Sequence, residues 1–235
     1  ATTEIYTLSL HDALPIWCPQ VQHYDTESER ANYANQEEKW WYTCSSPRAP
    51  YPTYHTEDTL LSARALSWMQ AEYGVTGNLF WAVNNYANYN GSRYENIEDY
   101  YTGDAQRFVT VNGDGYLFYP GAQYGLDKPV ASLRIEAIRD GMEEYELLYA
   151  MKNRYAEIAA ASGLDFGAEK AIAGLSSAIY SGTKVTTTSA KFMGARSSLF
   201  SLAECANSEA GMCVTDYFDD GYGAITYKVF MKNGY

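Results

Sequence analysis

The feature that most limits what this chain can fold into is the order in which its apolar segments change period. Lys39-Trp-Trp-Tyr-Thr-Cys44 is a short run of aromatic and β-branched residues, the composition of a strand. A loop with Pro47, Pro50 and Pro52 follows, and the period then becomes that of a helix. Thr56 predicts its start, with Glu57 and Asp58 in a first turn whose dipole favours negative charge. Leu61, Ala65, Trp68 and Met69 share one stripe, and Gly74 predicts a left-handed end. Gly77-Asn-Leu-Phe-Trp-Ala-Val83 returns to a short apolar run suited to a buried parallel strand.

The same grammar continues. A long polar loop runs from Asn84 to Asp114, and Gly115-Tyr-Leu-Phe-Tyr119 reads as another short strand before Pro120. Ser132 predicts the longest helix, reaching about Ala161, with Ile138, Met142, Tyr145, Leu148 and Tyr149 on one stripe. Gly141 inside it costs about 1 kcal/mol against alanine, which predicts close packing there. Thr26 predicts the N-cap of a helix toward Gln36, and Ala168–Tyr180 and Ser189–Ala206 have helical composition. The tail from Cys213 to Tyr235 alternates aromatic and polar residues and reads as strands.

Strand, helix and strand in this order specify an α/β fold with parallel strands. The informative residues cluster where strands end, as in barrels of the triosephosphate isomerase (TIM) type. Three or four strand signals are present, against about eight for a closed barrel. The expected fold is therefore α/β, the C-terminal half of a (β/α)8 TIM-type barrel over residues 17–206. The start of a β-rich module is expected over 207–235. Residues 1–16 are set apart, because every codon of Ala1–Ile16 fits one reading frame of a short-read sequencing adapter. They are expected to be adapter-derived in a metagenome-style fragment, so His11 and Asp12 receive no role.

Composition narrows the partners. With 17 basic and 29 acidic residues the net charge is −12, which argues against nucleic acid or an anionic membrane surface as partner. No run approaches the roughly 20 apolar residues of a membrane span. Tyrosine is high, at 23 residues beside five tryptophans. Flat apolar rings with polar tips suit sugars or peptides, although a Tyr-rich core explains part of the excess. Cys18, Cys44, Cys205 and Cys213 form no Cys-x-x-Cys pair and no histidine follows at ligand spacing, so no metal or cofactor is expected. Cys205 and Cys213 fit either a short bridged loop or two thiols.

Candidate site residues sit at the strand ends. Trp41 and Tyr42 fit a sugar platform with a hydroxyl donor, and fit core filling almost as well. Trp81 and Asn84 are similar, but a polar amide at a strand's end is hard to explain by packing. Tyr119 is a loop-mouth aromatic before Pro-Gly. Arg64 reads as a structural ion-pair partner, and Arg134 and Arg139 as salt-bridging or loop-capping groups. Glu143-Glu144 reads as a solvated helix face, and His23 and His55 as solvated loop histidines. Asn90-Gly-Ser92 fits the glycosylation sequon, a pattern common by chance.

Six segments together carry a resemblance. Trp40-Trp-Tyr-Thr-Cys44, Pro50-Tyr51-Pro52, Arg64-Ala-Leu-Ser-Trp68, Leu79-Phe-Trp-Ala-Val-Asn84, Leu117-Phe-Tyr-Pro-Gly121 and Ser132-Leu-Arg-Ile-Glu-Ala-Ile-Arg-Asp-Gly-Met-Glu-Glu-Tyr145 come in one order. From Trp17 to Ala206 the chain resembles the domain of unknown function 4091, related to glycoside hydrolase family 123. The resemblance implies a (β/α)8-type domain that hydrolyses glycosides of N-acetylhexosamines, chiefly N-acetylgalactosamine. It also implies a substrate-assisted mechanism, in which the sugar's acetamido oxygen attacks the anomeric carbon. An aspartate orients the acetamide and the adjacent glutamate protonates the leaving oxygen. This sequence contains no Asp-Glu dipeptide: Glu57-Asp58 and Glu98-Asp99 have the reverse order. No catalytic residue is therefore assigned, and the pair is expected upstream. A non-catalytic carbohydrate-binding or cell-surface protein on the same scaffold is the other reading. The implied partner is an N-acetylhexosamine-containing glycan, in an extracellular or cell-surface setting rather than the cytoplasm.

Overall fold

The computed structural model describes residues 16–85, 111–162 and 168–207, and the backbone of 212–219 and 225–231. Among them β1 (Trp40–Thr43), α2 (Leu60–Tyr73) and β2 (Gly77–Phe80) form the predicted parallel β-α-β unit. Trp40 aligns with Gly77 and Thr43 with Phe80. The segment before α1 (Glu27–Ala31) runs parallel on the other side of β1, through bridges Trp17–Lys39 and Gln20–Tyr42. Parallel strands joined by a helix bury one face against that helix. Trp41, Trp68, Leu66 and Met69 accordingly lie at 0% exposure in one core.

The rest is mixed α/β with small two-stranded sheets. β3 (Phe118–Tyr119) pairs antiparallel with β4 (Val130–Ala131), and α3 (Leu133–Ser162) packs along α2. α4 (Ala168–Ser176), the hairpin β5 (Tyr180–Ser181) to β6 (Lys184–Val185), and α5 (Ser189–Asn207) follow. The tail forms two strands, as expected, β7 (Met212–Asp219) and β8 (Ile225–Met231); they pair antiparallel, and β7 lies against α4 and α5.

Several expectations need correction. The 115–119 run is not a further parallel strand. Gly113 and Gly115 take φ of 81° and 86°, a left-handed backbone that breaks extension, so only Phe118 and Tyr119 are strand. The parallel register among the described residues therefore stops at β2, and they do not show half of a barrel. The helix expected from Thr56 begins at Leu60 instead. Glu57 is drawn away because its carboxylate accepts from the Asn112 backbone and side chain. Asp58 is drawn away because it accepts from the Thr53 hydroxyl. α1 stops at Ala31, short of Gln36, though Thr26 caps it in a reciprocal box with Glu29. The α3 stripe is turned: Met142 and Tyr149 are 60% and 54% exposed, and Ala137, Gly141, Glu144, Leu148 and Met151 face inward. Residues 1–15, most of the 84–114 loop, the Asn90 sequon and the Cys213 side chain lie outside the described residues.

Asp25 ties the N-terminal segment to the β5–β6 hairpin, accepting from Thr183 N at 3.0 Å and from the Lys184 ammonium. Burial pushes its carboxyl up, but the Lys184 and Thr183 hydrogen bonds outweigh this and hold it below the usual carboxylate range. A lowered folded-state pKa adds stability above the unfolded value, and that stability is lost as pH falls through the folded one. D25N should therefore be less stable than wild type by about 0.5–1 kcal/mol near pH 7, because the pair is partly solvated. The difference should shrink below about pH 3.9, the ordinary carboxylate value. Thermal melts of both proteins across that range check this, and a gap that widens toward acid would contradict it.

Candidate functional site

The site is built where β2 ends. Beyond Phe80 the chain passes through Trp81 to Asn84 and is clipped to the 113–118 turn. Leu117 N donates to Val83 O at 2.8 Å, Asn85 N donates to Gly115 O at 2.8 Å, and Asn84 bridges antiparallel to Tyr116. Tyr119, one turn further on, sets its ring 6.0 Å from that of Tyr116 at 64°. The fold thus brings Trp81 and Asn84 against the 113–118 turn and sets Tyr119 at the end of that turn beside Tyr116, with Trp81 40% exposed, Asn84 exposed and Tyr119 half-buried.

Trp41 and Tyr42 point to opposite faces of β1, as neighbours on a strand must. Tyr42 is half-buried and aligns with the exposed Leu79. Trp41 is fully buried, its indole edge-on to Tyr24 at 5.4 Å. The structure therefore places Tyr42 on the open face with Leu79, while Trp41 lies inside with the core.

Under this rim runs a polar layer that sequence reasoning missed. Asp114 is 5% exposed, and its Oδ1 accepts from Trp81 Nε1 at 2.8 Å. Burial raises its carboxyl above the ordinary range, against the indole hydrogen bond and the charges of His55 and Arg134. Arg134, on the first turn of α3, donates to three carbonyls: Tyr54 at 2.6 Å, Gly113 at 2.8 Å and Tyr116 at 2.7 Å. It is the loop-capping group the sequence suggested. His55 is not solvated. At 3% exposure its Nε2 donates to Cys44 O at 2.6 Å, and its Nδ1 lies 4.0 Å from Asp58. The Cys44 thiol donates to Ser46 O at 3.5 Å, so thiol and imidazole do not form a nucleophile–base pair. One signal could have revealed Asp114: it stands between two glycines in Asn112-Gly-Asp-Gly-Tyr116, a tight-turn sequence that fixes a side chain's direction.

Glu144 is also misplaced by the sequence reading. It is 2% exposed and lies in the helix layer, away from the rim. Its oxygens accept from Arg64, from Trp68 Nε1 at 2.8 Å and from Arg196 Nε at 2.8 Å. Arg64 is thus the structural ion-pair partner expected. Glu143 is 70% exposed, and Arg139 is surface-exposed with Glu136 at 3.0 Å. Among the described residues no group of three or more His, Cys, Asp or Glu is arranged to hold a metal ion. No helix described is long and apolar enough to cross a membrane.

The rim offers a flat indole, an amide and a phenol, the indole bound to a buried acid. That combination can stack on the apolar face of a sugar and exchange hydrogen bonds with its hydroxyls.

Comparison with known proteins adds a family. The family "Glycoside hydrolase 123, catalytic domain" matches residues 3–151, a span that holds every rim residue. No curated protein sequence matches the chain. One similar solved structure is that of a family 123 glycoside hydrolase from Clostridium perfringens, determined for the details of glycolipid glycan hydrolysis. It aligns at a TM-score of 0.48 and 15% identity, over 78% of this chain and 30% of that one. The chain therefore spans about a third of that protein's length.

Proposed function

Because this chain belongs to the glycoside hydrolase 123 catalytic-domain family, we propose that it is part of a glycosidase acting on N-acetylhexosaminides, chiefly β-N-acetylgalactosaminides. The single observation that carries the reading is the family match over residues 3–151. The proposed mechanism is substrate-assisted hydrolysis. The acetamido oxygen attacks the anomeric carbon and a carboxylic acid protonates the leaving oxygen, so the attack is intramolecular. The sequence has no Asp-Glu dipeptide, and the reading places that pair upstream of these residues, on the other half of a (β/α)8 barrel.

Within this chain we assign substrate contact to Tyr42, Trp81, Asn84 and Tyr119. Trp41, whose indole fills the core, supports the strand that presents Tyr42. An exposed ring stacks on the sugar's apolar face, and the Asn84 amide can both donate to and accept from its hydroxyls.

Hydrolysis of an aryl N-acetyl-β-galactosaminide tests the proposal. Protein made from the source locus, extended upstream of Trp17, should release the aryl group, and residues 17–235 alone should release none above buffer. An extended protein that binds N-acetylgalactosamine glycans without releasing the aryl group would favour the carbohydrate-binding reading. Turnover by residues 17–235 alone would place an acid among Glu57, Asp58, Asp114 and Glu143.

A further inference from the structure

Trp81 is an unusual surface tryptophan. It is 40% exposed, yet its orientation is set at two points. Its indole N–H is bound by the buried Asp114 carboxylate at 2.8 Å. Its six-membered ring lies against Gly115, so closely that a Cβ there would meet Cζ2 at 2.4 Å. The Gly113-Asp-Gly115 turn that delivers both contacts is itself fixed by Arg134, which donates to the carbonyls of Gly113 and Tyr116 on either side of Asp114.

From this geometry we infer that Asp114 is a positioning residue, which locks the Trp81 indole as a preorganised platform for the N-acetylhexosamine ring. The inference rests on the carbohydrate reading proposed above. An exposed aromatic side chain that is free to rotate loses rotamer freedom when it stacks on a ligand, and one already held does not. Asp114 lies beneath the rim and acts through the indole, and the rest of the turn is shaped to let it do so. A residue kept only for packing would not need a buried carboxylate, since an apolar side chain of similar size avoids its desolvation cost.

Titration with N-acetylgalactosamine, followed by calorimetry, tests this on the wild-type chain and on D114A, D114N and W81F. The Trp81 indole proton resonance, identified by its disappearance in W81F, reports the hydrogen bond independently. D114A should shift that resonance and weaken binding about three- to tenfold, the cost of immobilising one side chain. D114N, whose amide oxygen still accepts from the indole, should bind within about twofold of wild type. Adding D114A to W81F should weaken binding no further than W81F alone. Should D114A lose its cooperative melt, W81F carries the test, because it removes the N–H while keeping an aromatic ring. The inference is overturned if D114A or W81F binds as tightly as wild type, or if the two losses add. If wild type itself binds no N-acetylgalactosamine, the carbohydrate reading fails first and this inference falls with it.

Discussion

Replacing Glu144 by alanine should cost about 3–5 kcal/mol, the usual penalty for removing one partner of a buried ion pair. That is a large share of a domain's net stability of roughly 5–15 kcal/mol. Glu144 projects from the middle of α3 into the layer between α2 and α5, at 2% exposure. It accepts from Arg64 and Trp68 of α2 and from Arg196 of α5, so one carboxylate joins three helices. Without it the Trp68 indole N–H is left buried, and among the described residues Arg64 keeps Asp140 alone, at 3.9 Å, as an acidic partner. E144Q retains an acceptor for the indole and should cost less than E144A. Urea unfolding of the three proteins checks the order. E144A within about 0.5 kcal/mol of wild type, the range of ordinary surface substitutions, would contradict it.

The second large effect is expected one turn earlier. Gly141 is where α3 touches α2, and a Cβ there would meet Ser67 Oγ at 2.9 Å, Arg64 Cα at 3.0 Å and Arg64 O at 3.1 Å. Two of these atoms are backbone, so relief requires the helices to part. G141L should destabilise by about 3 kcal/mol, the upper part of the usual range for overpacking. G141A should cost less, because alanine's helix propensity returns about 1 kcal/mol. Parting α2 from α3 also weakens the Arg64–Glu144 contact, so G141L and E144A should be non-additive in the double variant. A G141L protein as stable as wild type would show that the close approach is not required.

These two residues also explain what was legible in the sequence. The β1–α2–β2 unit could be read because its strands are apolar runs and its helix carries Ala65, Trp68 and Met69 on one side. The glycine in α3 correctly signalled close packing. The stripe beside it was misread because its buried positions include Gly141 and Glu144, neither apolar by type, while Met142 and Tyr149 face solvent. A buried charge paired across three helices has no periodic signature. It becomes visible only when Arg64 and Arg196, 80 and 52 residues away from Glu144 in the chain, are seen beside it.

The candidate site divides in the same way. Trp81, Asn84 and Tyr119 could be named as candidates because aromatic and amide residues stand at strand ends. Asp114 and His55 were not, because their roles depend on partners far along the chain: Trp81, 33 residues from Asp114, and the Cys44 carbonyl, 11 from His55. Trp41 and Tyr42 were inseparable by type, and strand alternation alone sends one into the core and the other to the open face with Leu79.

The proposed function makes these residues the sugar-recognising part of a substrate-assisted glycosidase. The most direct measurement compares two aryl glycosides on the protein extended upstream at its source locus: an N-acetyl-β-galactosaminide, and the matched β-galactoside that lacks the acetamido group. Turnover of the first and none of the second above buffer is expected, because removing the acetamide removes the nucleophile. Equal turnover of both would contradict it and place the nucleophile on the protein.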